Sequence, residues 1–272
     1  MPTIAADDGT TLAYERHGGP SGTEVVLVAG FRAAGTSWRP QVRALVAAGY
    51  RVTVLDLRGH GAAAPATPGT TMATRADDLA ALLRHLHVRD AVLVGGSMGA
   101  STIWAYLASH GDDRVAAVVS VDQTPRMLGG PDDAGEPWEH GFYGYTAANR
   151  DTLFATGVPS TGVGLPLWRR PVRVARVLRA MGGGSRELSD ADLGVLHDHA
   201  IADWRPTIAA STKPVLFVAG AESEFWPSTH AAASAALAPQ GSSAVILRAG
   251  HAANLEQPRA FNDGLLAFLG QL

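Results

Sequence analysis

The stretch "VLVGGSMGAS", residues 92–101, places Ser97 between glycines where an apolar run gives way to an alanine-rich helical pattern. Gly95 and Gly99 flank the serine in the spacing GxSxG. A serine on a tight turn between a strand and a helix exposes its hydroxyl for nucleophilic attack, and glycine is needed where a side chain would collide with either element. The bare pattern also occurs in ordinary tight turns. The strand pattern before Ser97 and the helical pattern after it favour a nucleophile.

Short β-branched runs alternate with alanine-rich segments along most of the chain, a pattern typical of strands joined by crossover helices in a mostly parallel sheet. The predicted strands are residues 25–28, 52–55, 91–94, 115–121, 215–219 and 244–247, and the predicted helices are residues 37–48, 74–86, 98–109, 228–237 and 256–269. A turn at Asp8 and Gly9 predicts a hairpin, so the sheet begins antiparallel. Ligands bind beyond the carboxyl ends of parallel strands, which is where Ser97 lies.

The strand signal stops between residues 126 and 210, where prolines, glycines and aromatic residues are frequent. We predict that residues 126–210 form a helical cap, inserted into a core domain of residues 1–125 and 211–272. The aromatic side chains of the cap either form a small core of their own or line a substrate pocket. The candidate pocket residues are Trp138, Phe142, Tyr143, Phe154 and Trp168 of the cap and Arg32 of the core, which either enters the pocket or faces solvent.

A serine hydroxyl is a poor nucleophile near neutral pH and needs a histidine base, which a third group orients. His251 follows the last predicted strand, in the glycine-led loop of "AVILRAGHAANLEQP", and is the candidate base. His60 in "LDLRGHG" also follows a strand, but its flanking glycines indicate a tight turn that shapes the pocket floor. His197 and His199 lie in a helical pattern without a further ligand nearby, so no metal site is predicted.

Composition excludes several classes of function. The chain has 272 residues, of which 46% are hydrophobic, and a formal net charge of −3. Without a Lys/Arg run, nucleic acid is not an expected partner. The absence of cysteine rules out disulfides, thiolate metal sites and a cysteine nucleophile. The first residues lack an apolar signal core, and no apolar run approaches the roughly 18 residues of a membrane span. We therefore expect a cytoplasmic protein without a membrane span.

Four stretches of the chain resemble the α/β-hydrolase family and occur in that family's order. They are "VVLVAGFRAAGTSWRPQV" (25–42), "GYRVTVLDLRGHG" (49–61), "GGSMG" (95–99) and "AGHAANLEQPRAFNDGLLAFL" (249–269). The resemblance covers nearly everything outside residues 126–210. It implies an eight-stranded, mostly parallel sheet flanked by helices, with an inserted helical cap. It also implies an oxyanion hole made of the backbone N–H groups of Phe31 and Met98, although this chain has Ala29 and Gly30 where the family commonly has His-Gly.

The acid of the catalytic triad departs from the usual family pattern. In the family it usually follows the penultimate strand, where "VAGAESEFWP" (218–227) has Ser223 in the place of the aspartate. Some family members carry it after the strand that follows the nucleophile helix, and this chain has Asp122 there. The resemblance thus favours Asp122, while Glu222 and Glu224 remain alternatives. Asp122 could also serve only as a turn-capping residue before Pro125.

The resemblance implies a serine hydrolase that cleaves a carboxylic ester or lactone of a hydrophobic small molecule through an acyl-enzyme, with no metal or cofactor. Serine at position 97 argues against epoxide hydrolases and haloalkane dehalogenases, whose relatives have an aspartate there. The same triad also suits cofactor-free perhydrolysis of the haloperoxidase type or hydrolysis of a carbon–carbon bond. A small-molecule receptor with vestigial hydrolysis is the alternative of another class. The sequence leaves the substrate and the oligomeric state open.

Overall fold

The β-branched runs of the sequence form one sheet. The computed structural model describes residues 1–129, 138–141, 146, 148–154, 164, 167–181 and 187–272. The strands in these ranges are β1 (Thr3–Ala5), β2 (Thr11–His17), β3 (Glu24–Val28), β4 (Arg51–Asp56), β5 (Ala91–Gly96), β6 (Val115–Val121), β7 (Val215–Gly220) and β8 (Gly241–Ile246). They pair in the order β1-β2-β4-β3-β5-β6-β7-β8. The pairs β1–β2 and β2–β4 are antiparallel and all the others are parallel, which confirms the predicted sheet and its antiparallel start.

Helices cover both faces of this sheet. The helices in the described ranges are α1 (Arg39–Ala47), α2 (Met72–His85), α3 (Met98–His110), α4 (Arg150–Leu153), α5 (Pro171–Met181), α6 (Asp190–Ile201), α7 (Arg205–Ala210), α8 (Thr229–Leu237), α9 (Ala253–Glu256) and α10 (Pro258–Leu269). Side chains alternate between the two faces of β3. Val26 and Val28 pack in the core formed with α2, α3 and α8, whereas Val25 and Leu27 pack in the core formed with α1 and α10. Burial on both faces is typical of a parallel sheet.

The elements described between β6 and β7 are helical and form the inserted cap of the predicted fold class. They comprise α4, a 3₁₀ turn at Leu167–Arg169, α5, α6 and α7. Close to the two ends of the insertion, Arg126 and Asp203 form an antiparallel bridge, and their side chains pair at 2.8 Å between Nη1 and Oδ2. The limits of the cap at residues 126 and 210 stay a prediction.

Element boundaries differ from the sequence-based expectation by up to three residues at several places. The predicted helix at 37–48 begins with a 3₁₀ turn, Gly35–Trp38, before α1. The predicted helix at 256–269 is α10, which begins at Pro258, and the short helix α9 precedes it. Pro258 has no N–H to continue the hydrogen bonds of α9. β8 begins at Gly241 rather than residue 244, since its exposed polar start still pairs with β7.

Transmembrane helices are absent from the described ranges, where each helix is too short or too polar to cross a bilayer.

Candidate active site

Ser97 occupies a strained turn between β5 and α3. Its backbone angles are φ 51° and ψ −128°, a conformation that residues other than glycine rarely adopt. A Cβ at Gly95 would lie 2.5 Å from the backbone nitrogen of Ala100, and one at Gly99 would overlap the carbonyl oxygen of Val28. The two glycines of the GxSxG stretch are therefore required by the close approach of the helix to the sheet. The turn holds Ser97 at the rim of the sheet, where it lines two cavities.

The structure brings His251 and Asp122 together across 129 positions of the chain. His251 lies in the loop between β8 and α9, and Asp122 directly follows β6. Nδ1 of His251 is 2.7 Å from Oδ2 of Asp122. An ionised carboxylate can only accept, so Nδ1 carries the proton and Nε2 is left to act as a base. Ser97 and His251 line the same two cavities, and in the described ranges no hydrogen bond joins them in this structure.

Asp122 is completely buried and held by several donors. Oδ1 accepts the N–H of Gly220 at 2.8 Å, and Oδ2 accepts the hydroxyl of Ser223 at 2.6 Å. Ser223 stands at the family's usual aspartate position, and here this loop supplies a hydroxyl donor to the carboxylate of Asp122. Nε2 of His230, also buried, lies 3.6 Å from Oδ1. Burial would raise the pKa of Asp122, but His230 and His251 beside it hold that pKa at about 2.

The environment of His251 makes its ring a stronger base than an ordinary histidine. Burial by itself would lower the pKa of the imidazole. The hydrogen bond to Asp122 and the negative charges of Asp122, Glu224 and Glu256 outweigh burial, so the pKa lies above the ordinary value of 6.5. A carboxylate on the Nδ1 side both orients the ring and stabilises its protonated form.

The alternative acids, Glu222 and Glu224, have other partners. Oε2 of Glu224 accepts the backbone N–H of His251 at 3.0 Å and an N–H of Arg170 at 2.7 Å. Oε2 of Glu222 pairs with Nη2 of Arg173 at 2.7 Å. The carboxylate that contacts the imidazole is therefore that of Asp122, while Glu224 fixes the backbone that carries the ring.

The loop after β3 lies against Ser97. A Cβ at Gly30 would come within 3.1 Å of Cβ of Ser97, and Phe31 lines both cavities. Met98 is the first residue of α3, so the helix offers no partner to its N–H. The two expected oxyanion donors, the N–H groups of Phe31 and Met98, thus belong to two segments that adjoin Ser97.

His60 holds the loop that follows β3. Its Nε2 accepts the backbone N–H of Arg32 at 2.9 Å, and Nδ1 lies 2.9 Å from the carbonyl oxygen of Arg58. Burial, followed by the positive charge of Arg75, lowers the pKa of His60 to about 4, so the ring is neutral and its acceptor nitrogen faces Arg32. His60 thus supports the loop in a chain that lacks the family's His-Gly pair.

Two cavities meet at the site. We call the cavity of about 70 Å³ the small chamber and the cavity of about 380 Å³ the large chamber. Both are lined by Phe31, Ser97, Phe225 and His251. The small chamber is further lined by Met98, Gln123, Met127, Phe154, Leu196, His199 and Trp226. The large chamber extends between α5 of the cap and the core, and among its residues are Trp38, Val174, Val177, Leu178 and Leu255. A substrate whose scissile bond lies at Ser97 would extend into both.

Comparison with known proteins gives the family. The family model described as alpha/beta hydrolase fold matches residues 23–258. This chain belongs to that family. A non-heme haloperoxidase of Rhodococcus erythropolis is 38% identical over 128 residues, which cover 47% of this chain and 46% of that protein. The chain thus matches about half the length of this relative.

Solved structures agree with this assignment. A bromoperoxidase from Bacillus anthracis has a TM-score of 0.81 at 26% identity, over 99% of this chain and 100% of that chain. A thermophilic esterase from Thermogutta terrifontis has a TM-score of 0.79 at 26% identity, over 99% and 98% of the two chains. The likeness supports a hydrolase.

The predicted pocket residues of this α/β-hydrolase have different positions. Phe154 lines the small chamber. Trp138 donates its Nε1–H to the hydroxyl oxygen of Thr124 at 2.7 Å. Trp168 is 73% exposed and lies beneath the guanidinium of Arg169. Neither tryptophan is among the described residues that line the chambers. Arg32 directs Nη1 to the carbonyl oxygen of Glu187 in the cap. Phe142 and Tyr143 lie outside the described residues.

Four residues of the hydrolase site make contacts that the sequence did not predict. Ser223 and His230 face Asp122, Glu224 holds the backbone of His251, and His60 holds that of Arg32. The serine in the place of the expected aspartate was the one usable signal, because a hydroxyl there lies close to any acid on the neighbouring strand. The other contacts join distant parts of the chain, and no local pattern marks them.

Proposed function

We propose that this protein is a serine hydrolase that cleaves a carboxylic ester, open or cyclic, of a hydrophobic small molecule. The observation that carries the proposal is the 2.7 Å contact between His251 and the buried Asp122 beside a serine on a strained turn. A nucleophile, a base oriented by a carboxylate, and backbone donors beside the nucleophile are the parts that acyl transfer requires. The apolar linings of the two chambers favour an uncharged substrate.

The reaction follows from the positions of these groups. Nε2 of His251 takes the proton of Ser97 while Oγ attacks the ester carbonyl. The N–H groups of Phe31 and Met98 stabilise the oxyanion of the tetrahedral intermediate. His251 returns the proton to the leaving alcohol, and an acyl-enzyme remains on Ser97. Water then attacks the acyl carbonyl with His251 again as base, which releases the carboxylic acid and restores the hydroxyl.

A fluorophosphonate probe tests the activated nucleophile directly. We expect the intact mass of the wild-type protein to increase by one adduct and that of Ser97→Ala to stay unchanged. A series of p-nitrophenyl esters then measures turnover on both proteins. A folded wild-type protein that takes up no probe at Ser97 contradicts the proposal. Labelling with only vestigial turnover across the ester series indicates a small-molecule receptor instead.

Perhydrolysis is the second candidate, because the relatives include a non-heme haloperoxidase and a bromoperoxidase. Here hydrogen peroxide replaces water in the attack on the acyl-enzyme, and a peracid leaves in place of the acid. The same triad carries both reactions. To test it, the rate of peracid formation from an ester and hydrogen peroxide is compared with the rate of hydrolysis of the same ester without peroxide. The ratio of the two rates shows how well hydrogen peroxide competes with water for the acyl-enzyme.

A further inference from the structure

His199 has no part in the proposed reaction, yet its ring lines the small chamber together with Ser97. It lies on α6 of the cap and is only 7% exposed. Within the described part of the chain, its buried Nδ1 has no hydrogen-bond partner. Buried polar atoms of native proteins are nearly always paired, so an unpaired nitrogen on a ring that lines a cavity asks for a functional explanation.

The charge state of His199 limits what it can bind. Burial, and after it the positive charge of Arg75, lower the pKa of the ring to about 3. The imidazole is therefore neutral at pH 7, with one N–H donor and one acceptor nitrogen. Such a ring pairs with a hydroxyl group through either nitrogen, or with a ketone oxygen through its N–H.

The other residues of the small chamber disfavour an anion, and its volume limits the size of the group that it can hold. None of its described lining residues is a lysine or an arginine, so a carboxylate there would have no cationic side chain in direct contact, although the buried Arg75 lies near His199. Gln123 is the one amide side chain among the described lining residues, and it already donates Nε2–H to the carbonyl oxygen of Thr124 at 3.0 Å. A cavity of about 70 Å³ holds roughly five non-hydrogen atoms, judged by the space that one water needs. The chamber thus suits a short, neutral group.

We propose that one side of the scissile ester is a short group bearing a neutral hydroxyl or ketone oxygen, which His199 binds in the small chamber. The apolar remainder of the substrate lies in the large chamber, against Val174, Val177 and Leu178 of α5. This inference rests on the proposed function and names its substrate class. His199 is then a residue that determines specificity.

Matched ester pairs test the inference on both sides of the ester bond. The acyl pair is p-nitrophenyl 3-hydroxybutyrate and p-nitrophenyl butyrate, and the alcohol pair is 2-hydroxypropyl octanoate and propyl octanoate. In His199→Phe, which keeps a ring but has no ring nitrogen, we expect the kcat/KM ratio of the hydroxylated to the plain ester to fall at least tenfold in one pair. The kcat/KM of the plain ester, measured in the same variant, is the reference for this ratio. His199→Gln, which keeps a donor and an acceptor, should restore part of the ratio.

The outcomes separate this inference from the proposed function. An equal loss for both members of each pair, or unchanged ratios in both pairs, overturns the role of His199 while esterase activity stands. Absence of probe labelling at Ser97 in the wild-type protein overturns the proposed function itself.

Wild-type inhibition provides the test if His199→Phe does not fold. 4-Hydroxy-2-butanone and 2-pentanone have the same number of non-hydrogen atoms and differ at one terminal position. We expect the hydroxyketone to be the stronger competitive inhibitor. In both compounds the ketone takes the place of the scissile carbonyl, so only the terminal hydroxyl can distinguish them at His199. Equal or weaker inhibition by the hydroxyketone contradicts the inference.

Discussion

At the residue scale, Asp122 determines the electrostatics of the candidate site. It is inaccessible to solvent and accepts hydrogen bonds from Gly220, Ser223 and His251. A buried carboxylate with several donors stays ionised far below neutral pH. In the proposed reaction its charge stabilises the imidazolium that forms when His251 takes the serine proton, and the fixed orientation prevents the ring from turning its basic nitrogen away.

Asp122→Asn should lower kcat on the order of a thousandfold, because the amide removes the charge and favours the wrong tautomer of His251. Glu222→Gln is the matched control, since it removes a carboxylate that pairs with Arg173 and does not touch the imidazole. Steady-state hydrolysis of one p-nitrophenyl ester compares the two variants with wild type. A large loss of kcat in Glu222→Gln together with little loss in Asp122→Asn would contradict the assignment of Asp122 as the acid.

The pH profile of kcat/KM should follow the protonation of the His251 imidazole. The base must be neutral, so activity rises with pH through the pKa of this histidine, whose midpoint lies above the ordinary 6.5 because Asp122, Glu224 and Glu256 stabilise the charged form. In Asp122→Asn the residual activity should have a lower midpoint, since the largest stabilising partner is lost. A profile of the wild-type protein with its acid limb below pH 6 contradicts this assignment.

How far a site residue could be predicted depends on how local its signal is. Ser97 was predictable, because the glycines that its turn requires are its near neighbours in sequence. His251 was predictable from its place in a loop after a strand. The hydrogen bond from Ser223 to Asp122 joins residues 101 positions apart, so only its unusual place in the family pattern hinted at it. His230 and the unpaired nitrogen of His199 depend on packing, which spacing alone does not encode.

At the element scale, α5 is attached to the loops that carry the site through buried charges. Arg170, at the residue before the helix, is fully buried and bonds to both oxygens of Glu256 at 3.0–3.1 Å and to Glu224 at 2.7 Å. One turn later, Arg173 pairs with Glu222. The helix that lines the large chamber is thus connected directly to the residue that holds the backbone of His251.

Arg170→Met should lower the free energy of unfolding by about 3 kcal/mol, because it leaves two largely buried carboxylates without their partner. It should also lower kcat/KM, since Glu224 loses the contact that fixes it against His251. Arg169→Met is the neighbouring control, as this exposed arginine only stacks on Trp168, and we expect a change of at most about 0.5 kcal/mol. Urea unfolding and ester turnover measure both variants, and equal effects of the two substitutions would contradict the anchoring role.

The strands and helices of the core were largely predictable. Their predicted boundaries are wrong where residues without an apolar pattern still belong to an element through backbone hydrogen bonds. β8 begins at Gly241 with exposed residues that pair with β7 although they have no apolar face to signal a strand. The four-residue helix α9 was not predicted, because so short a segment has no helical period to recognise, whereas the start of α10 coincides with Pro258. Anchoring of the cap by Arg170 was not predictable, because its partners lie 54 and 86 positions away.

At the scale of the whole molecule, two buried neutral histidines make stability sensitive to acid. The pKa of His60 is lowered to about 4 and that of His199 to about 3, chiefly by burial. The unfolded chain binds protons at both residues near pH 6.5, whereas the folded chain does not. Stability from these groups is therefore present above pH 6.5 and is lost as the pH falls toward their folded pKa values.

His199→Phe should make stability less dependent on pH in this window. Each buried neutral histidine changes the free energy of unfolding by up to about 1.4 kcal/mol per pH unit. Asp78 and Glu256, whose pKa values burial raises, act in the opposite direction, so the comparison of variant with wild type isolates His199. Urea midpoints measured from pH 7 to pH 5 give the two slopes. Parallel slopes for the two proteins contradict a neutral His199.

The positive φ angle of Ser97 has a consequence for directed evolution of this protein toward higher thermal stability. Glycine adopts such an angle without the steric penalty that serine carries there. A library selected only for survival on heating is therefore expected to enrich glycine at position 97 and to discard the hydroxyl with it. Heat tolerance and turnover would have to be screened side by side, because at this position they favour different amino acids.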